Sequence, residues 1–150
     1  MVEYRTAGAE ALPVAAELRR VMSIELGSDF DVRNPNWRSG YIEFFRGRCE
    51  ANEARVVLAE TAGDVVGTLI VSLTDNYRTI AFGTRFGAIN GVYVKPEWRG
   101  KGIARRLMEI ALEWLRDRGC AVARLHASDE GRRLYESLGF RNTTEMELKL

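Results

Sequence analysis

Cysteine and histidine are scarce. Cys49 and Cys120 are the only thiols, and His126 is the only imidazole. No C-x-x-C or H-x-x-x-H spacing exists, which argues against a zinc centre, so no metal is expected. Two cysteines this far apart build no disulfide framework, and a reduced, cytoplasmic setting follows as the expectation. Excess charge of either sign is lacking too: 22 basic residues face 21 acidic ones. Nucleic-acid binders draw affinity from a surplus of Lys and Arg against phosphate, so no nucleic-acid partner is expected. The opening Met1-Val2-Glu3-Tyr4-Arg5 has no basic-then-apolar leader pattern. No apolar run reaches the ~18 residues that a membrane helix needs, so no membrane partner is expected.

What is present suits an ordinary folded domain. The chain has 150 residues, 46% hydrophobic and 29% charged. Residues 1–150 read as a single domain, long enough to bury about two-thirds of its unfolded surface without metals or disulfides. No repeat or low-complexity tract interrupts it.

Periodicity supplies the elements. Val2–Arg5 alternates as a first strand. Glu10–Met22 carries Leu12, Ala15, Leu18, Val21 and Met22 at helical spacing, with Pro13 in the first turn. Ser23–Gly40 reads mainly as loop. A helix from about Asn36 to Asn52 aligns Trp37, Tyr41, Phe44, Phe45 and Arg48 on one face. Arg55–Glu60 and Val65–Leu73 form a hairpin about Ala62-Gly63-Asp64. Thr74–Gly87 is a polar connection and Ala88–Val94 the next strand. A long helix from about Gly102 to Arg118 has a stripe of Ile103, Leu107, Ile110, Ala111, Trp114 and Leu115, ended by Gly119. Val122–Ala127 is a strand. A short helix capped by Ser128 or Asp129 runs to about Leu138, and Thr143–Leu148 alternates as a closing strand. Hairpin strands followed by β-α-β-α-β predict a mixed α/β (α+β) sheet with helices on its faces. The crossover through the long helix should be parallel and right-handed.

The turn Arg99-Gly100-Lys101-Gly102-Ile103-Ala104 is the most informative segment. Two glycines stand where a strand feeds a helix, so the backbone can approach a ligand closely. Successive N–H groups at a helix N-terminus attract phosphate, and Arg99 and Lys101 add charge there. A diphosphate fits such a nest. The P-loop pattern fails, because position 95 is Lys and position 102 is Gly. The dinucleotide fingerprint fails as well, because position 105 is Arg. What remains is Arg-x-x-Gly-x-Ala.

That pattern resembles the signature of the GNAT superfamily of acyl-CoA-dependent N-acyltransferases. Gly91–Ala104 is similar to the family's strand-4 to helix-3 block nearly throughout. Arg133-Leu134-Tyr135-Glu136-Ser137-Leu138-Gly139-Phe140 resembles its second block. The clear resemblance covers about residues 88–142. Residues 1–75 match only in element order. It implies a mixed, mostly antiparallel sheet of six to seven strands, split into a V between strands 4 and 5. It also implies acetyl-CoA as co-substrate, and a small-molecule or peptide amine as acceptor. A homodimer is a further assembly compatible with it.

The same resemblance suggests roles. Val92, Tyr93 and Val94 would pair through their backbone with the pantetheine arm, in the manner of β-augmentation, and a backbone N–H of this strand would hold the oxyanion. Gly91 hints at a bulge. Arg99, Gly100, Lys101, Gly102, Ile103 and Ala104 would cradle the pyrophosphate; a plain strand–helix turn is the alternative. Arg105 and Arg106 are either solvated or reach the 3′-phosphate. Many members carry Asn just before the last helix. This chain has Ser128-Asp129-Glu130, and Ser128 could partly replace that Asn.

Tyr135 is the candidate general acid for the departing thiolate, against the alternative of a core tyrosine. No single general base stands out; Glu43, Glu60 and Asp75 are open, and Asn90 lies near the right strand but is no base. Trp37 and Tyr41 would border the acceptor, with core packing as the simpler account. Tyr77, Arg78 and Arg85 would form the opposite rim. His126, Cys49 and Cys120 need no chemical role. The reading is an N-acetyltransferase acting by direct attack in a ternary complex. The alternative is a non-catalytic acyl-CoA-binding sensor on the same fold.

Overall fold

A computed structural model describes residues 1–75 and 85–150. Five strands form one sheet in the order β1-β2-β3-β4-β5. They are β1 (Glu3–Ala7), β2 (Ala54–Thr61), β3 (Asp64–Asp75), β4 (Arg85–Val94) and β5 (Ala123–Arg124). The first three pairings are antiparallel. The last, β4 with β5, is parallel, as the crossover requires. The helices are α1 (Leu12–Glu25), α2 (Phe30–Arg33), α3 (Trp37–Glu50), α4 (Ile103–Asp117) and α5 (Asp129–Ser137). No helix among the described residues is long and apolar enough to cross a membrane.

Local chemistry sets the boundaries. The β2–β3 turn has positive φ at both central residues, Ala62 (48°) and Gly63 (80°). That is the primed hairpin turn whose twist suits paired strands. Gly102 caps α4 in the left-handed conformation, and Gly119 and Gly139 follow α4 and α5 with φ of 77° and 99°. Ser128 caps α5 by accepting a hydrogen bond from the Gly131 N–H at 3.1 Å.

Alternation along β2 and β3 sends side chains to both faces of the sheet, and each face builds its own core. Leu69, Val71, Leu73, Ile89 and Val94 pack with Ile103, Leu107, Met108, Ala111 and Leu115 of α4. Burying each large aliphatic of that helix contributes ~1.5–3 kcal/mol. Val56, Leu58 and Ile70 pack on the opposite face with Leu12 and Ala15 of α1 and Phe45 and Cys49 of α3. Helices therefore cover both faces, as expected.

Three expectations need correcting. The sheet has five strands among the described residues, not six to seven, because Thr143–Leu148 forms no strand. Its alternation is real, but no neighbouring strand lies against it, and residues 141–150 are all exposed. The strand expected over Val122–Ala127 pairs only at Ala123–Arg124, since β4 diverges beyond that point. Finally, α1 runs to Glu25 and a one-turn α2 follows, in a stretch, Ser23–Gly40, that reads mainly as loop.

Candidate active site

The site begins where β4 leaves its neighbours. Gly91 has φ +62°, and two β4 residues, Gly91 and Val92, stand opposite the single Leu69 between the Ile70↔Asn90 and Thr68↔Tyr93 pairs. This bulge bends the strand, as a glycine at such a position permits. The parallel ladder with β5 holds only at Gly87↔Ala123 and Ala88↔Arg124. Beyond it, Ile89–Val94 has no β5 partner, so the sheet opens into the expected split between strands 4 and 5.

At the wide end of that split lies the glycine turn. Gly100 and Gly102 have φ of 74° and 81°, and a Cβ at either would meet open space. Glycine is therefore required by the backbone torsion rather than by crowding. The first N–H groups of α4 have no intrahelical partner, as in any helix N-terminus. A cleft of about 230 Å³ lies over them, lined by Val94, Trp98, the turn without Lys101, Arg105 and Leu134 of α5. Lys101 Nζ stands 4.9 Å from the Trp98 ring centroid. Arg105 Nη2 donates to Ser137 Oγ at 2.5 Å.

Arg99 is engaged by the protein itself. Its Nε donates to the Val94 carbonyl at 2.8 Å and its Nη2 to Glu25 Oε2 at 2.6 Å. Its Nη1 lies 3.6 Å from Glu130 Oε1, and its guanidinium sits 5.5 Å from the Tyr93 ring centroid. Glu25 holds the Arg99 guanidinium above its ordinary pKa. Arg99 thus ties together the end of β4, the end of α1 and the start of α5. Glu25 also accepts from the Tyr93 hydroxyl at 3.4 Å. Nothing in the sequence singled Glu25 out, because the helix that carries it was read as ending at Met22.

Tyr135 is 7% exposed. Its ring meets Phe140 edge-on, with centroids 6.1 Å apart. A Cβ at position 131 would lie 2.8 Å from this ring, so Gly131 makes room for it. Burial raises the phenol pKa above its usual value. No hydrogen bond to its hydroxyl forms among the described residues. Tyr135 lines a second, larger cleft of about 860 Å³ between residues 123–127 and residues 140–147. Adjacent α5 residues therefore serve two clefts, Leu134 the glycine turn and Tyr135 the flank of β5.

The remaining expected residues scatter. Val92 is half-buried, and Tyr93 and Val94 are buried. Ser128 caps α5. Asn90 is exposed on β4. Trp37 Nε1 donates to Asp31 Oδ1 at 2.5 Å, and its ring meets Phe30 and Tyr41. Tyr41 packs against Phe45 in the second core, and burial pushes its phenol up to about 12. Tyr41 is half-buried and packs against the edge of that core. Tyr77 and Arg78 lie outside the described residues. Arg85 is bound by Glu53 and Asp75. Of the open bases, Glu43 pairs with Arg46 and Glu60 with Arg5. Burial raises both cysteine thiols.

Residues 18–140 match the acetyltransferase (GNAT) family. The chain belongs to that family. An uncharacterised N-acetyltransferase of Archaeoglobus fulgidus is 34% identical over 101 residues, covering 65% of this chain and 67% of that protein. An aminoglycoside N(6')-acetyltransferase of Stenotrophomonas maltophilia is 38% identical over 69 residues, covering 45% of each. A thialysine N-epsilon-acetyltransferase of Bos taurus is 39% identical over 62 residues, covering 39% of this chain and 36% of that protein. The chain thus spans about one-third to two-thirds of the length of these curated relatives. Its fold is that of a GCN5-related N-acetyltransferase from Ralstonia eutropha JMP134, with TM-score 0.89 and 24% identity over 100% of this chain and 99% of that one. A predicted acetyltransferase from Clostridium acetobutylicum, solved with acetyl-CoA, superposes with TM-score 0.84 and 24% identity over 99% and 96%. The Arg-x-x-Gly-x-Ala pattern of Arg99–Ala104 lies within the matched residues.

Proposed function

We propose that this GNAT chain transfers an acetyl group from acetyl-CoA to a primary amine by direct attack in a ternary complex. The observation that carries the reading is the glycine turn at the head of α4, opening beside a β4 edge that β5 leaves free. The turn's positive-φ glycines and unpaired helix N–H groups suit a diphosphate, which they would receive through backbone donors. Lys101 and Arg105 supply nearby positive charge. Arg99 acts differently: bound to Glu25 and Val94, it would hold the turn in shape. Val92–Val94 would offer backbone groups to an extended arm lying in the split. Tyr135 would hand its hydroxyl proton to the departing thiolate, since a phenol is protonated at neutral pH. Holding both reactants in one cleft supplies much of the rate gain. The acceptor is an amine by analogy with relatives named for lysine-like, aminoglycoside and glucosamine 6-phosphate substrates.

The test is calorimetric titration with acetyl-CoA, followed by thiol release over a panel of amines. Binding with amine-dependent release is expected. Gly102→Glu, which puts a carboxylate at the nest, should abolish binding in a folded variant. Unchanged binding by that variant would remove the turn as the pyrophosphate site. Binding by the native chain without release on any amine would favour the sensor reading.

A further inference from the structure

Sequence alone asks no chemistry of His126, the only imidazole in the chain, but the register of the sheet does. Gly87 pairs with Ala123 and Ala88 with Arg124, in parallel. Carried two residues further, the same register sets His126 opposite Asn90, where the split has opened. The alternation also continues past the last ladder pair. Ala123, Leu125 and Ala127 are half-buried against the α4 core, while Arg124 and His126 are exposed. Along β4, Ile89 is buried in the α4 core. Asn90 points the other way, on the face of its partner Ile70, and is exposed. Asn90 and His126 therefore stand on one face of the sheet, on the two sides of the opening.

That face is the one left for an acceptor. On the opposite face Val92, Val94 and Leu134 belong to the core that α4 and α5 build. On this face α1 and α3 cover Val56, Leu58 and Ile70 but leave Asn90 in solvent. A cofactor arm lying along Val92–Val94, the reading on which this inference rests, brings its far end to Gly91, between Asn90 and His126. Tyr135 belongs to the α4 core and His126 to the opposite face, yet both line the cleft of about 860 Å³. Other candidate bases are engaged: Glu25 by Arg99, Asp75 by Arg85, Glu43 by Arg46 and Glu60 by Arg5. The charged groups around the cleft are Arg124 on the same strand, Arg132 and Glu136 on α5, and Arg141, Glu145 and Glu147 after it. His126 itself makes no side-chain hydrogen bond or ion pair among the described residues.

We propose that His126 is the general base for the acceptor amine. An imidazole ordinarily titrates near neutral pH, so it can both take and release a proton there. One ring nitrogen takes a proton from the ammonium group, which also donates to the side-chain carbonyl of Asn90 across the split. The freed lone pair attacks the thioester carbon and a C–N bond forms. Collapse of the oxyanion breaks the C–S bond, and Tyr135 gives its proton to the sulfur. A second proton from the nitrogen restores the phenol through water, and the imidazolium releases the first to solvent. The nitrogen is thus deprotonated from one face of the sheet and the sulfur protonated from the other.

A lone imidazole gives a single Cε1–H signal in the proton NMR spectrum, which can be followed without any acceptor. Saturation with acetyl-CoA should move that signal in the native chain and leave it in place in Gly102→Glu. His126→Gln changes an exposed side chain, so fold and acetyl-CoA affinity, by calorimetry, should be retained. With L-lysine, glucosamine 6-phosphate and an aminoglycoside as probe amines, its thiol release near neutral pH should fall about 10²-fold or more. The deficit should shrink toward about pH 10, where an alkyl amine sheds its proton unaided. Native rates in His126→Gln, or a deficit of equal size at every pH, would overturn the proposal. So would a signal that stays in place while acetyl-CoA binds. If none of the three amines releases thiol, the signal decides alone. A native chain that binds no acetyl-CoA would instead remove the cofactor reading, and this inference with it.

Discussion

Tyr135 owes its position to two neighbours that leave it one open side. Gly131 makes room for its ring, Phe140 meets the ring edge-on, and the hydroxyl keeps no partner among the described residues. A buried phenol held only by packing is free to spend its proton on a ligand. Tyr135→Phe removes that proton with almost no change in volume. Turnover should fall by about 10²-fold or more, the usual share of a general acid. Acetyl-CoA affinity, measured by calorimetry, should stay within about twofold. Equal losses in turnover and affinity would make Tyr135 a packing residue. Arg99 is the contrasting case. Its place in Arg-x-x-Gly-x-Ala suggests a phosphate ligand, yet its guanidinium is spent on Glu25, Glu130 and the Val94 carbonyl. A motif reports which residue types occur together; it does not report whether a cation faces the ligand or braces the loop.

At the scale of elements, the split depends on how α4 lies on β4. Gly87 faces Leu115, and a Cβ at position 87 would stand 2.3 Å from a Leu115 methyl and 2.8 Å from its Cγ. Leu115 is 2% exposed and has little room to turn away. Gly87 also accounts for half of the β4–β5 ladder, through its pairing with Ala123. Gly87→Ala therefore overpacks the narrow end of the split. It should cost ~1–3 kcal/mol in urea unfolding. Because the strain falls on the hinge of the opening, the Michaelis constant for acetyl-CoA should rise with it. Unchanged stability would mean that α4 slides without cost.

The elements that sequence reading located well are those whose signals are local. Ala62-Gly63 names its turn, the apolar stripe of residues 103–115 names α4, and Ser128 names the cap of α5. The misses share a different cause. The end of α1 is marked by Gly27, a C′ glycine with φ of 76°, but the apolar spacing stops at Met22 and the polar Ser23 and Glu25 after it hide the last turn. Strand β5 is short because its pairing depends on a bulge at Gly91, far away in sequence. The tail alternates like a strand, but a strand exists only where an edge meets it.

For the molecule as a whole, the proposed cofactor nest implies linkage. The glycine turn is already shaped by Gly100, Gly102 and the Arg99–Glu25 pair, so ligand binding need not fold it. Acetyl-CoA would touch the end of β4, the head of α4 and the face of α5. These elements adjoin the larger core, and a ligand that spans them favours the folded chain over the unfolded one. At 100 times its dissociation constant it adds about 2.7 kcal/mol. For a chain of this size that should raise the unfolding midpoint by roughly 5–10 °C. A thermal scan with increasing acetyl-CoA should show the midpoint climbing with the logarithm of concentration. The increment should vanish in Gly102→Glu and persist in Tyr135→Phe, since the first removes the nest and the second only a proton. A midpoint indifferent to acetyl-CoA in the native chain would place the cofactor elsewhere, or nowhere, on this molecule.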